Sequence, residues 1–339
     1  MSETHSNSLQ KPCEAPGDIR TATCILCDTR HHNVLFKARD RLHNIQREFC
    51  IVECVTCGLK STVPKYSEEE IISLYPSEYS PHQPCDLKQI DERSTEGFIK
   101  KFVKPLLTPL LSRLLDTKSH ILPALPGDAK ILELGCATGS FLRSLKGKEW
   151  HLCGVEPVKT PARYAREVSG SEVFCGTIKE AKYPSNFFDA VFAWMTVEHL
   201  ADPLGTLNEV HRVLEKNGYF VFSIPNAGSW EWSVFKSRWY ALQVPFHFYH
   251  FTPKTVSMLL EKAAFKIETI QYQRNVYNIV ASVGYILEDI LGNNRLSRYL
   301  ASCTETQAFA SQLILAPLAI LMARLHQGGR MTIIARKEE

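Results

Sequence analysis

The chain has no uncharged apolar run long enough to cross a bilayer. One spanning helix needs about 20 such residues, and the uncharged run from Leu313 to Ala323 stops well short of that. No apolar stretch opens the sequence either, so no secretory signal is expected and a cytoplasmic, reducing location is. Neither sign of charge dominates: 39 Lys and Arg face 36 Asp and Glu, a net charge of +3. That surplus is too small for nucleic acid to be the main partner. The Gly-x-Gly-x-x-Gly turn of dinucleotide sites is also missing, which disfavours a nicotinamide-dependent dehydrogenase. Cysteine, by contrast, is plentiful, with 11 in 339 residues. In a reduced chain these read as free thiols and metal ligands, not as a disulfide scaffold.

Residues 130–145 read as strand, glycine turn and helix. Ile131 to Leu134 is a short apolar run, Gly135-Cys136-Ala137-Thr138-Gly139 is a Gly-x-x-x-Gly turn, and Ser140-Phe141-Leu142 opens a helix. Such a unit brings backbone N–H groups to a ligand at the carboxyl edge of a parallel strand. Glu133, just before the turn, suits a ligand carrying an ammonium group and would repel a pyrophosphate. A second strand, His151 to Glu156, ends in an acid 21 residues after Gly135. A carboxylate at that distance can accept hydrogen bonds from both hydroxyls of a ribose. Phe187 to Trp194 reads as the fourth strand, with Thr196-Val-Glu-His-Leu200 at its carboxyl end. A helix from Pro203 to Leu214 meets the stop signal Lys216-Asn217-Gly218, and a strand from Tyr219 to Asn226 follows.

Taken singly, the glycine turn also reads as a helix cap and each acid as a solvated carboxylate. In order, however, Glu-Leu-Gly-Cys-Ala-Thr-Gly, Phe-Asp-Ala-Val, Glu-His-Leu and Leu-Glu-Lys-Asn-Gly-Tyr resemble the motifs of class I S-adenosylmethionine-dependent methyltransferases. The resemblance covers residues 128–226 and continues more weakly to the end. It implies an α/β fold with a Rossmann-like seven-stranded sheet, mostly parallel with the last strand antiparallel. It also implies a site for S-adenosyl-L-methionine. Glu133, Gly135 and Gly139 would surround its methionine end, Glu156 its ribose, and Thr177 and Ile178 its adenine, with Cys136 and Pro157 among the cofactor-binding residues. Trp194 completes that expected set.

Two Cys-x-x-Cys pairs form a second pattern. Cys24 and Cys27 are separated by 26 residues from Cys54 and Cys57, and Gly58 after the last cysteine fits a tight knuckle. Four thiolates at this spacing compose a closed structural Zn2+ site. The long separation predicts a hairpin between the pairs, with strands at Val34 to Phe36 and Phe49 to Val52. Cys50, His31 and His32 are substitute ligands, and a redox dithiol is the rival reading. With Leu74-Tyr-Pro-Ser-Glu-Tyr79, the order resembles methyltransferases that carry an N-terminal zinc-binding module. Many of these act beside sugar- and polysaccharide-modifying enzymes, which implies a glycan or nucleotide-sugar acceptor.

The expected organisation is a disordered stretch over 1–20, a zinc module over 21–80, a basic helical connector over 81–127 and a catalytic domain over 128–339. Inside the last, residues 276–326 read as an apolar helical insertion. Lid, dimer surface and interfacial membrane helix are its competing readings. Lys100, Lys101, Lys104 and Arg113 of the connector would suit peripheral contact with an anionic membrane. Trp230, Trp232, Trp239 and Tyr240 either stack an acceptor ring or fill the core. Methyl transfer to oxygen or a carbon acid needs a proton removed, and His247, His199 and His250 are the candidate bases. Each also reads as a core or loop histidine bonded to backbone. The acceptor is expected to be a small molecule or glycan, with a quinone-like or lipid acceptor as an alternative. A non-catalytic scaffold built from the same parts is the competing class.

Overall fold

The computed structural model describes residues 23–74 and 121–338, apart from 44, 68–69, 72–73, 276 and 303–308. The stretch 1–20, Tyr79 and the four basic residues of the connector lie outside the described residues. The first sheet is an antiparallel hairpin, β1 (His32–Arg39) and β2 (Glu48–Cys54), extended by β3 (Lys60–Val63). It bridges the two cysteine pairs as their separation predicts. The second sheet supplies the catalytic scaffold. Its strands are β4 (Lys130–Leu134), β5 (His151–Glu156), β6 (Glu172–Cys175), β7 (Phe188–Trp194), β8 (Leu214–Pro225), β10 (Phe265–Tyr272) and β11 (Arg330–Lys337).

The order across this seven-stranded sheet is β10-β11-β8-β7-β4-β5-β6. Neighbours from β8 to β6 run parallel, and β11 inserts antiparallel between β8 and β10. The near-continuous apolar runs of β4 and β7 follow from burial on both faces. Crossover helices include α1 (Ser140–Ser144), α2 (Lys159–Ser169), α3 (Ile178–Ala181) and α4 (Pro203–Val213). The helix expected to reach Leu214 ends at Val213, because Leu214 is claimed by pairing with Phe188 of β7. The Lys216-Asn217-Gly218 signal instead turns the chain within β8, with Asn217 at φ 62°.

After β8 come α5 (Trp230–Phe235), the two-residue strand β9 (Tyr249–His250) and α6 (Pro253–Lys262). Thr252 caps α6 through the Thr255 amide, with Pro253 at the first helical position. The strand β9 pairs with β3, Lys60 opposite His250 and Ser61 opposite Tyr249. The cysteine-bearing sheet is therefore completed by a strand from the catalytic part of the chain. Phe49 and Ile51 of β2 pack into one core with Trp232, Trp239, Leu242 and Val244. Burying each large apolar side chain there is worth about 1.5–3 kcal/mol. Of the four aromatics noted in this region, Trp232 and Trp239 are buried at this junction. The insertion forms α7 (Tyr277–Leu291), α8 (Arg295–Ala301) and α9 (Phe309–Arg324). Asp289 of α7 ties it to Arg39 and Arg41 of the first sheet and to Arg238. No helix among the described residues is long and apolar enough to cross a membrane.

Thr62, fully buried, is the polar link of the junction. Its amide donates to Phe248 O at 3.0 Å, and its hydroxyl donates to His247 O at 2.7 Å. With its proton so placed, the hydroxyl oxygen accepts from His250 Nε2 at 3.0 Å. Thr62→Val keeps the shape and strands both partners. The substitution should cost about 1–3 kcal/mol, read as a lower Tm in thermal denaturation; an unchanged Tm would show that packing alone holds the junction.

Candidate active site

A cleft of about 390 Å³ opens at the carboxyl edge of the parallel strands. That position follows from topology, since the strand order reverses between β4 and β7 and leaves a crevice there. One wall is the glycine turn. Gly135 sits at φ 63°, and a Cβ on it would lie 2.8 Å from Thr196 Oγ1. Only glycine lets this turn pass the Thr196 side chain, whose hydroxyl is within 3.2 Å of both Leu134 O and Trp194 O. Gly139 starts α1 at φ 73°, and a Cβ there would meet Ala165 of α2 at 3.0 Å. Its role in the geometry is close packing between turn and helix.

Glu156 lines the cleft at the end of β5. Its carboxylate accepts from Ala137 N at 3.0 Å and from Val158 N at 2.9 Å. Burial pushes its pKa up to about 6, with the two amides offsetting part of the rise. Pro157, Thr177, Ile178 and Trp194 line the cleft as well. The Thr177 hydroxyl accepts from Glu180 N in a capping box, so its backbone and methyl face the ligand space while its oxygen holds α3.

Glu133, Cys136, Gly139 and His250 do not line the cleft. Glu133 lies one residue before Leu134 on β4, and strand alternation turns it to the opposite face. It is 4% exposed, and its Oε2 has no hydrogen-bond partner among the described residues. Burial and the nearby Glu156 charge hold its pKa well above the usual range, partly offset by the Leu142 amide. It braces the turn from behind. The Cys136 thiol packs with Leu142, Ala162, Ala165 and Val173, because Gly154 of β5 leaves room for its sulfur. His250 is bound to Thr62, and burial with the Lys60 charge pushes its pKa down to about 3.

At the other end of the cleft lie His199 and His247, with Gln243 and Arg330. The two imidazoles meet edge to face, their centroids 4.5 Å apart. His247 is buried and lies 2.9 Å from Ala241 O through Nδ1. A carbonyl only accepts, so Nδ1 carries the proton and Nε2 the lone pair. Burial, then the neighbouring imidazoles, keep His247 well below the ordinary histidine range and therefore neutral. Glu198, between Val197 and His199, is 1% exposed with neither carboxylate oxygen hydrogen-bonded among the described residues. Burial pushes its pKa up to about 8, against the pull of Arg330. The Glu198 carbonyl accepts from Phe248 N at 2.9 Å, while Phe248 O accepts from Thr62, so the first sheet holds this end of the cleft. Sequence reasoning missed Glu198 as a site residue although it sits beside His199 in the Glu-His-Leu motif. It also missed Arg330, which only the antiparallel insertion of β11 brings to the crevice. None of the four aromatics at 230–240 and none of the described residues of the insertion lines the cleft.

The four cysteine sulfurs form a separate cluster, all within 4.8 Å of one another. Cys24 and Cys57 approach to 3.5 Å and Cys27 and Cys54 to 3.4 Å. The Cys57 amide points at Cys54 Sγ, 3.5 Å away, and Gly58 at φ 81° donates to Cys54 O at 2.9 Å, which makes the knuckle. Burial raises the Cys54 thiol, but the Cys57 and Thr56 amides and neighbouring thiols bring it down to about 7. Cys50 lies elsewhere, on β2 in an apolar cluster with Val52 and Val63.

A ribose bound through its hydroxyls needs the ionised form of Glu156. Affinity for S-adenosylmethionine should therefore be constant above about pH 7 and fall as pH drops through about 6. Calorimetric titration across pH checks this, and Glu156→Gln should weaken binding at all pH values and remove the pH dependence. Equal loss at every pH in the unmodified protein would assign the carboxylate a purely structural role.

A methyltransferase-domain family matches residues 100–270, just over half of the chain. Among curated proteins, the sterol 24-C-methyltransferase erg6 of Aspergillus fumigatus is 30% identical over 111 residues, covering 30% of this chain and 28% of that one. The (+)-O-methylkolavelool synthase of Herpetosiphon aurantiacus is 28% identical over 109 residues, covering 30% and 38%. YrhH of Bacillus subtilis, a protein with a methyltransferase name, is 31% identical over 102 residues, covering 28% and 57%. The aligned part thus spans less than two thirds of each of these relatives. A solved S-adenosylmethionine-dependent methyltransferase of Thermotoga maritima covers 72% of this chain and all of its own at 19% identity and a TM-score of 0.44, which adds nothing to the family match. With motif order, sheet topology and family match in agreement, the chain belongs to the family of S-adenosylmethionine-dependent methyltransferase domains of class I.

Proposed function

We propose that the protein binds S-adenosylmethionine along the glycine-turn wall and transfers its methyl group to a small-molecule acceptor that enters at the His199–His247 end. The observation that carries this reading is one cleft lined both by the Glu156 carboxylate and by two imidazoles, His199 and His247. In this reading Glu156 takes the ribose hydroxyls, and Thr177 and Ile178 flank the adenine. The sulfonium methyl is already activated, so the protein's task is alignment. An acceptor lone pair forms the new bond to the methyl carbon as the carbon–sulfur bond breaks and leaves a thioether. Holding the reactants in line supplies several kcal/mol of the barrier. The acceptor's proton is released at the histidine end.

The acceptor we favour is a sugar, nucleotide sugar or lipid-linked glycan methylated on oxygen or carbon. Polar groups line the cleft besides the two histidines, among them Gln243 and Arg330. The sterol methyltransferase among the relatives supports a second reading, an apolar acceptor against Ile71, Met195 and Leu200. The thiol cluster fits a structural zinc ion, with four sulfurs, two knuckle turns and amides aimed at sulfur. Bound there, zinc would fix the β1–β2–β3 sheet and, through β9, the segment carrying His247.

Calorimetric titration with S-adenosylmethionine and separately with nicotinamide dinucleotide tests the cofactor; binding of the former alone, at roughly micromolar affinity, is expected. Binding of neither would favour a scaffold. Transfer of labelled methyl groups to nucleotide sugars, compared with sterol and quinone acceptors, decides between the two acceptor readings. Metal analysis of the reduced protein should find one zinc per chain, lost in Cys54→Ser. Zinc-free protein that is folded would remove the metal.

A further inference from the structure

We propose that Glu198, His199 and His247 bind a divalent first-row cation at the acceptor end of the cleft, and that this ion holds the acceptor through oxygen. The inference rests on the methyl-transfer reading for the acceptor's role, but the site stands on its own observations. Glu198 is almost wholly buried, and both of its oxygens lack a hydrogen-bond partner among the described residues. An unpaired buried carboxylate is among the costlier arrangements in a protein interior. A proton would not resolve it, since the resulting O–H would still lack an acceptor and the other oxygen a donor. A cation satisfies both.

The surrounding groups have the composition that a cation needs. Ligand atoms of Glu198, His199 and His247 all lie within 4.8 Å of one another. The hydrogen bond from His247 Nδ1 to Ala241 O, 2.9 Å long, leaves the Nε2 lone pair as the free donor atom. A backbone carbonyl on the other ring nitrogen is the usual way a ligating histidine is oriented. Glu198 is fixed from the backbone side, through Phe248 N, which is itself in the segment tied to Thr62. Two imidazoles and one carboxylate on one side leave the remaining coordination positions open to exchangeable ligands. Those positions face the cleft, because His199 and His247 both line it.

Arg330 is the other charged group facing these residues. It lines the cleft, its Nε is buried without a hydrogen-bond partner among the described residues, and its charge acts on the buried Glu198 and Glu231. Its charge opposes a cation unless negative charge lies between them. An acceptor with two neighbouring oxygens, one of them ionised, supplies that charge; a vicinal diol or a hydroxy-carbonyl unit has this form. Held there, such an ion would make the acceptor O–H more acidic, so that its proton could pass to solvent. The oxygen lone pair then forms the bond to the methyl carbon, and the carbon–sulfur pair stays on sulfur. The imidazole lone pairs hold the ion in this arrangement, and neither histidine is the base.

Mn2+ is a suitable probe because carboxylate and imidazole accept it while thiolate sites select softer ions. The full chain, with its thiolate site zinc-loaded, is titrated with Mn2+ and the free ion followed by electron paramagnetic resonance. One Mn2+ per chain should bind, and Glu198→Gln should weaken it at least ~10-fold while calorimetry shows S-adenosylmethionine affinity retained. His199→Asn should weaken the ion in the same way. Protein that binds S-adenosylmethionine but no Mn2+ at millimolar concentration would overturn the site, as would a Glu198→Gln variant that binds Mn2+ like the parent. Protein that takes Mn2+ but no S-adenosylmethionine would sustain the ion site and remove the methyl-transfer reading instead.

Discussion

Burial of carboxyl groups is the constraint around which this molecule is arranged. Glu133, Glu156, Glu198 and Glu231 are all 4% exposed or less. Removing a carboxylate from water is costly, so each needs compensation. Glu156 has two backbone amides, and Glu231 has the Trp239 indole N–H at 3.1 Å. Burial still lifts Glu231 to about 7, against that bond and contributions from Asn278 and Arg330. Glu133 is half satisfied behind the turn, and Glu198 not at all. Such imbalance has no structural benefit, which is why perturbed groups in a cleft point to function.

Backbone hydrogen bonds deliver these side chains. Phe248 is the hinge of that delivery, its amide on Glu198 and its carbonyl on Thr62. The first sheet is thereby coupled to the histidine end through one residue's main chain. The insertion helices brace the same sheet from outside through Asp289 and its three arginines. Exposed ion pairs of this kind contribute about 0–1 kcal/mol each, so their role is register more than stability. The insertion thus buttresses the scaffold on the side away from the cleft.

Much of the fold was legible in the sequence because its signals are local. Apolar runs, glycine turns and caps marked β4, β5, β7 and α6 to within a residue or two, and the cysteine spacing implied the β1–β2 hairpin. That Glu156 and Thr177 line one cleft was legible for the same reason, since each is reached by a short local turn. What was not legible depends on strand alternation and on contacts distant in sequence. Motif membership suggested Glu133 and Cys136 for the cleft, whereas the pleat turns one behind the turn and Gly154 draws the other into the core. His250 resembles a base in sequence, yet its partner Thr62 lies 188 residues away. Arg330 reaches the crevice only because β11 enters between β8 and β10, a topology no local pattern encodes.

The strand β9 has only two residues, and its pairing partner lies almost two hundred positions earlier in the chain. A fragment starting at residue 128 would keep every glycine and acid of the cofactor wall. It would also leave the carbonyls of His247 and Phe248 and the strand Tyr249–His250 without their partners in β3 and uncover the face of Trp232 and Trp239. Unpaired strand edges beside bare aromatics invite association between copies. The Rossmann-like half of this protein, complete by its motifs, thus shares a strand pairing and an aromatic core with the cysteine-bearing sheet.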